Sequence, residues 1–456
     1  MKKVLATILA LVMAIGLCSV SWANEGVTTA EALNTAVGAG GEVKLGADIS
    51  ATITIPADKT VTLNLNGKTL TGSIVNKGTL TVTGTGKVVA TAAETAAVAN
   101  FPDGTVTLSG GTYMSTSWYV IKNMGKMYIN GPVNVQKPDG STDTSSLIDN
   151  GWVNGSDMVA GVSVPAEPNK AKLVISSESF KGVSGAKSCS VVKNDDYGEL
   201  EISGGTFDST ANTGTRNAAT LLNWNIARIS GGTFTGMYPI SNGAYNNDAD
   251  KGQITITGGE FIGTSTIFGM GDGGNATGSV TVSGGTFTAP ALGAVYANAP
   301  VGHNTLTVSG GTFSRDLSNV SNYTAENTPV AFNEGKYYVG EETIQNVASS
   351  LSADDQLEIM EGTVRLTDVP AGVTVIPKEG TTVVVNGKDI SSSQYRDGYT
   401  VPARYYYYNS TTTTTDTKTT DTKGSPKTFD AGIALYVGMA LTSAAGVAFV
   451  GKKRED

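Results

Sequence analysis

The chain has 456 residues, a formal charge of −9, 57 glycines and only 16% charged side chains. That composition excludes a charge-rich disordered protein and argues against a helical one. The acidic balance disfavours nucleic acid or anionic lipid as a partner, because nothing would neutralise their phosphates.

In chain order, Lys2-Lys3, an uncharged apolar run from Val4 to Val20 and Ser21-Trp22-Ala23 have the three parts of a secretory leader, with cleavage expected between Ala23 and Asn24. Loss of Lys2 and Lys3 takes the formal charge from −9 to −11. Cys18 falls within the leader, which leaves Cys189 without a partner for a disulfide, so it reads as a small interior or turn residue.

A short helix is expected over Thr28 to Val37, covering a first coil, followed by strands at Val43-Lys44-Leu45, Ile53-Thr54-Ile55 and Val61 to Leu65 and a turn at Asn66-Gly67-Lys68. Ser-Gly-Gly-Thr-aromatic then recurs at Ser109–Tyr113, Ser203–Phe207, Ser230–Phe234, Ser283–Phe287 and Ser309–Phe313, with variants at Thr257–Phe261 and Ser176–Phe180. From Ser176 the copies step by 26 or 27 residues, a periodicity that signals a repeat architecture. Before each motif stands an apolar pair around one polar residue, as in Val106/Leu108, Leu200/Ile202 and Val280/Val282, which is the period-two mark of a strand buried on one face. The motif aromatics are expected to stack from coil to coil at about 4.8 Å.

Seven residues before the motif lie Asn76, Asn123, Asn169, Asp196, Asn223 and Asp250, and five before it Gly78, Gly104, Gly125, Gly198, Gly252 and Gly278. These columns read as a tight turn repeated in register, needing positive φ, with amides that hydrogen-bond between coils. The stretch Gln136 to Asn169, which holds Trp152, breaks the period and reads as a bulging loop. The strand, aromatic and asparagine columns together resemble the right-handed parallel β-helix of pectate-lyase-like surface proteins. The expected fold is therefore all-β, with a β-helix over 24–325. A smaller β module or cap is expected over 326–404, where a helix at Ile344 to Leu351, an Ile376-Pro377 pair and an Asn386-Gly387-Lys388 turn repeat the order of the opening.

The remainder reads as a Thr-rich flexible linker over 405–424, then Ser425-Pro426-Lys427-Thr428-Phe429, an apolar transmembrane helix over 431–450 and a basic tail at Lys452-Lys453-Arg454. This end resembles the cell-wall sorting signals of Gram-positive surface proteins, in the Ser-Pro-x-Thr form used by clostridial sortases. The resemblance implies a sortase that attacks the Thr428 carbonyl and transfers it to peptidoglycan, with Pro426 bending the peptide into the enzyme. Phe429 stands where the family has glycine. The implied location is the wall of a Gram-positive bacterium, facing outward.

Catalytic chemistry on such a scaffold needs convergent carboxylates or Ca²⁺-binding acids with a base. Asp196 and Asp250, about 10 Å apart if they share a column, are accounted for by turn geometry. Glu201 and Arg228 are expected side by side on the outer face, about 5 Å apart. They are the candidates for ligand contact together with Trp224 and Trp152, aromatics that fall in or beside turns with Trp118, Tyr119, Tyr238 and Tyr245. Asp195 with Asp196, and Asp248 with Asp250, offer at most a weak Ca²⁺ contact and lack a defined ligand spacing. His303 stands alone in a Gly-His-Asn turn, so no metal centre or other cofactor is implied. A non-enzymatic, adhesin-like binder of glycan or of a host or bacterial surface protein is the favoured reading, over a polysaccharide lyase or glycoside hydrolase.

Overall fold

The computed structural model describes residues 25–403, apart from 153–157, 160–161, 164–170, 186, 188–189, 213–218, 244–251, 270–277, 291, 293–303 and 315–319. The leader and its cleavage site at Ala23 and Asn24, the linker, Ser425 to Phe429 and the apolar stretch 431–450 lie outside the described residues. So do Asn169, Cys189, Tyr245, Asp248, Asp250 and His303.

Helix α1, Ala30–Ala39, begins at Thr29, whose hydroxyl accepts the Ala32 N–H, and buries Leu33, Ala36 and Val37 against the first coil. It starts and ends two residues later than the sequence pattern suggested. From Gly41 onward strands of successive coils pair in parallel and in register. Val61 lies beside Leu80, Leu80 beside Val106, Leu200 beside Ala227 and Val280 beside Leu306. The inward residues of this file are fully buried or nearly so, and their neighbours in sequence face out. Such repeated parallel pairing, with like residues in vertical files, is the arrangement of a β-helix. Each coil gains its stability from the one below and the one above.

The Ser-Gly-Gly motif bends the strand. Gly205, Gly232, Gly259, Gly285 and Gly311 all have φ between 92° and 117°, a region a side chain would strain, and the register between coils shifts across the bend, as between Ser203 and Thr206 and between Ser283 and Thr286. Strands such as Gly198–Asp208 and Gly278–Thr288 run through the bend and join two faces into one sheet of 23 strands. Beyond the bend, Phe207, Phe234, Phe261, Phe287 and Phe313 form the expected stack, with centroids 4.5–5.0 Å apart and planes within 10° of parallel. Phe180 departs from its assigned place. Gly182, and not Phe180, stands in register with Phe207, and the Phe180 ring reaches in from the preceding turn to fill the space beside it.

A second, nine-stranded parallel sheet runs through the strands Ile53–Ile55, Ile74–Asn76, Val98–Asn100, Ile121–Asn123, Ile148–Asn150, Val192–Asn194, Ala219–Asn223, Tyr238–Asn242 and Phe268–Gly269. It corrects two expectations. The segment after Gln136 is not solely a loop, because Ile148–Asn150 forms a strand of this sheet. The asparagine file comprises Asn76, Asn100, Asn123, Asn150, Asn194, Asn223 and Asn242, joined by six side-chain hydrogen bonds of 2.7–2.8 Å. Asp196 is not a member. Of the neighbouring glycines, Gly252 and Gly278 have the expected positive φ, whereas Gly78, Gly104, Gly125 and Gly198 do not; a Cβ on Gly125 would instead lie 2.3 Å from the Gly104 carbonyl oxygen of the adjacent coil.

The parallel order ends at Asn304–Phe313, which pairs antiparallel with Lys336–Val339. Beyond it, Gln356–Glu361 and Thr374–Pro377 pair in parallel, as do Thr363–Leu366 and Thr382–Val385. These strands and helix α2, Glu341–Ser350, enclose a second core of Ile344, Leu357, Ile359, Val364, Val375 and Val383. Asn386-Gly387 makes a tight hairpin turn, both residues at positive φ, as are Asn66 and Gly67.

Candidate functional site

The outward file of the larger sheet changes character along its length. Thr62, Thr81 and Thr107 occupy successive coils at one end, and Thr255, Thr281 and Thr307 at the other. Between them, in unbroken register, come Tyr128, Val174, Glu201 and Arg228. The next outward file departs over these coils and two more, from Thr60, Thr79 and Thr105 through Lys126, Lys172, Glu199, Ile226, Gln253 and Ser279 to Thr305. On a half-exposed strand threonine is the default of this repeat, so four consecutive departures in the first file, matched over the same coils in the second, mark the central coils.

Glu201 and Arg228 are register partners on adjacent strands, as the sequence implied. Glu201 Oε1, however, lies 2.9 Å from Lys172 Nζ, with both side chains over a third exposed, and a pair so exposed contributes under about 1 kcal/mol. Arg228 is exposed and has no ion-pair partner among the described residues. Beside it lies a shallow depression of about 350 Å³, bounded by Val174, Glu201, Arg228, Ser203, Ser230 and Thr257. It presents a guanidinium, a carboxylate, hydroxyls and apolar Val174, with Tyr128 one coil beyond.

Trp152 and Trp224 do not join this surface. The expectation that Trp152 offers an open face is not met: it is 1% exposed and stacked on Tyr197, centroids 5.3 Å apart, in a small cluster with Phe101, Met124 and Ala171 against the nine-stranded sheet. The ring packs on Tyr197 and on apolar residues of neighbouring coils, which removes it from water. Trp224 is half-buried, with Lys193 Nζ 4.5 Å from its ring centre. Asp196 is buried, 4% exposed. Among the described residues no group of three or more His, Cys, Asp or Glu is placed to hold a metal ion, and no helix is long and apolar enough to cross a membrane.

The nine-stranded sheet carries a feature the sequence reading missed. The middle residues of three successive strands are Lys122, Asp149 and Lys193, in register. Lys122 Nζ is hydrogen-bonded to Asp149 Oδ2, and the two side chains are 1% and 0% exposed. Lys193 Nζ lies 4.0 Å from Asp149 Oδ1 and 3.0 Å from Asp195 Oδ1. The available signal was the tripeptide apolar-x-Asn, which recurs as Val98-Ala99-Asn100, Ile121-Lys122-Asn123, Ile148-Asp149-Asn150, Val192-Lys193-Asn194 and Ile240-Ser241-Asn242. Its middle residue is charged in three adjacent coils.

Burial, and then the negative charge of Asp149, push the Asp195 carboxyl up to about 7, against the pull of Lys193 and Lys122. Between about pH 4 and about pH 7 the folded chain thus keeps a proton that the unfolded chain releases, so stability falls as pH rises across that window. Urea midpoints measured across the window are expected to decline toward neutral pH, and Asp195→Asn to flatten the decline. No protein-family model, curated protein or solved structure matches the chain.

Proposed function

We propose that the chain is an exported surface protein of a Gram-positive bacterium, joined to the wall through Thr428 of the sorting signal Ser425 to Phe429, whose β-helix binds an extended ligand across its central coils. The secretory leader, the apolar stretch 431–450 and the basic tail support export and anchoring. The coils are read as right-handed, the hand taken by nearly all crossovers between parallel strands of one sheet. The ligand is a glycan or an extended segment of a surface protein, because both carry polar groups along a line that can follow the stacked coils.

The observation that carries this reading is the run Tyr128, Val174, Glu201, Arg228 interrupting a threonine file beside an open depression. An aromatic face, a free guanidinium and a ring of hydroxyls are the groups that hold sugar rings and peptide carbonyls. The full chain on glycan and surface-protein arrays is expected to retain a ligand. Arg228→Ala combined with Tyr128→Ala should weaken it about tenfold, or about 1.4 kcal/mol, while Thr281→Ala leaves it unchanged. Equal binding by all three proteins would move the site elsewhere. New reducing ends or unsaturated products from a bound polysaccharide would replace the binding reading with a lyase or hydrolase.

A further inference from the structure

Lys122 and Asp149 meet under conditions that change what an ion pair is. They face each other on adjacent parallel strands, in contact through Nζ and Oδ2, and neither is reached by water. Other pairs show the contrast: Lys172 with Glu201 and Lys378 with Glu358 are between 30% and 42% exposed, and water reaches both partners. The dry site lowers the cost of passing one proton along this hydrogen bond, so the ion pair reaches, in its reactive form, an amine facing a carboxylic acid. Asp149 Oδ1, also buried, receives no hydrogen bond.

We propose that Lys122 and Asp149 condense into an intramolecular isopeptide bond that staples two neighbouring coils. The neutral Lys122 amine attacks Cγ of the protonated Asp149 carboxyl, and the N–C bond forms. The resulting tetrahedral carbon carries two oxygens. The nitrogen gives up a proton, one oxygen takes a proton, and that oxygen leaves as water. Ammonium and carboxylate thus become amide and one water, with no oxidant, reductant or further reactant. The Lys193 ammonium faces the second oxygen from 4.0 Å and stabilises negative charge that develops there. Asp195 holds Lys193 in place at 3.0 Å and, because it binds a proton near neutral pH, exchanges protons with that ammonium during the transfer. Lys193 and Asp195 are positioning residues for the reaction of the other two.

The experiment is mass spectrometry of the full chain, denatured and digested with trypsin. Cleavage at Lys126 separates the segment carrying Lys122 from the segment carrying Asp149. The expected result is that the two remain joined and lighter by one water, and that Lys122→Met or Asp149→Ala releases them. Lys193→Met or Asp195→Asn should slow joining in freshly refolded chain, while Lys193→Arg restores it. Separate linear peptides from the folded wild-type chain would overturn the proposal. So would a water loss confined to the Asp149 peptide, which marks a cyclised aspartate, or a branch at Lys193.

Discussion

Asn123→Ala is expected to remove about 4 kcal/mol of stability. Asn123 Oδ1 accepts from Asn100 Nδ2 at 2.7 Å, and its own Nδ2 donates to Asn150 Oδ1 at 2.7 Å, to the Lys172 carbonyl at 3.0 Å and to the Gly125 carbonyl at 3.2 Å. All of these partners lie inside, where no water replaces the missing amide. The alanine breaks all four bonds and strands Asn150 Oδ1 at about 1–3 kcal/mol, while Asn100 Nδ2 keeps the Gly104 and Lys126 carbonyls and the Gly125 carbonyl keeps the Lys172 N–H. Urea unfolding followed by far-UV circular dichroism measures the total. Hydrogen exchange locates it, with the amides of Ile121–Asn123 and Ile148–Asn150 losing protection first because each coil leans on its neighbours. A loss within about 0.5 kcal/mol, typical of a surface substitution, would mean that the file is not a structural element.

Phe234→Ala should cost about as much, near 4 kcal/mol, by a different route. The ring is fully buried between Phe207, 4.5 Å away and 3° from parallel, and Phe261, 5.0 Å away and 7° from parallel. Alanine removes both stacking contacts and leaves a cavity that backbone hydrogen bonds on either side keep from collapsing. Phe234→Leu should recover more than half of the loss in the same urea titration, because it refills the volume without restoring the stack. If the two substitutions cost the same, ring stacking and not volume holds this column.

The reading of the sequence succeeded where one residue type serves one structural need in every coil. Alternation of apolar and threonine positions, the aromatic after Ser-Gly-Gly, and the helix before the first coil all follow from local chemistry repeated in order. The asparagine file shows where that logic fails. A fixed offset from the motif finds Asn76, Asn123 and Asn223, whose Nδ2 groups close turns onto carbonyls two residues later. Asn100 and Asn194 close onto carbonyls four residues later, at Gly104 and Gly198, so the same offset lands on Asp196 and misses Asn194. The turn varies in length while the amide keeps its place.

The candidate site divides in the same way. Glu201 and Arg228 were found side by side because strand register is periodic. Trp152 was misplaced, and Lys122, Asp149 and Lys193 were overlooked, because burial of an outward position depends on what folds over it. A charged residue in the middle of a three-residue strand looks solvated until the covering segments are seen.

The asparagine amides also have a direction. Every one points its N–H₂ toward the coil that follows and its oxygen toward the coil before, from Asn76 through to Asn242. Seven side-chain dipoles aligned head to tail add up, as peptide dipoles do along a helix, and each bond polarises the next. The series starts at Asn76 Oδ1, an acceptor with no donor because Ile55 occupies the preceding place, and ends with Asn242 Nδ2 donating to the Gly252 and Ser279 carbonyls. The core of this fold is thus electrically polar along the stacking axis, negative toward its first coils and positive toward its last, although no formal charge lies within the row.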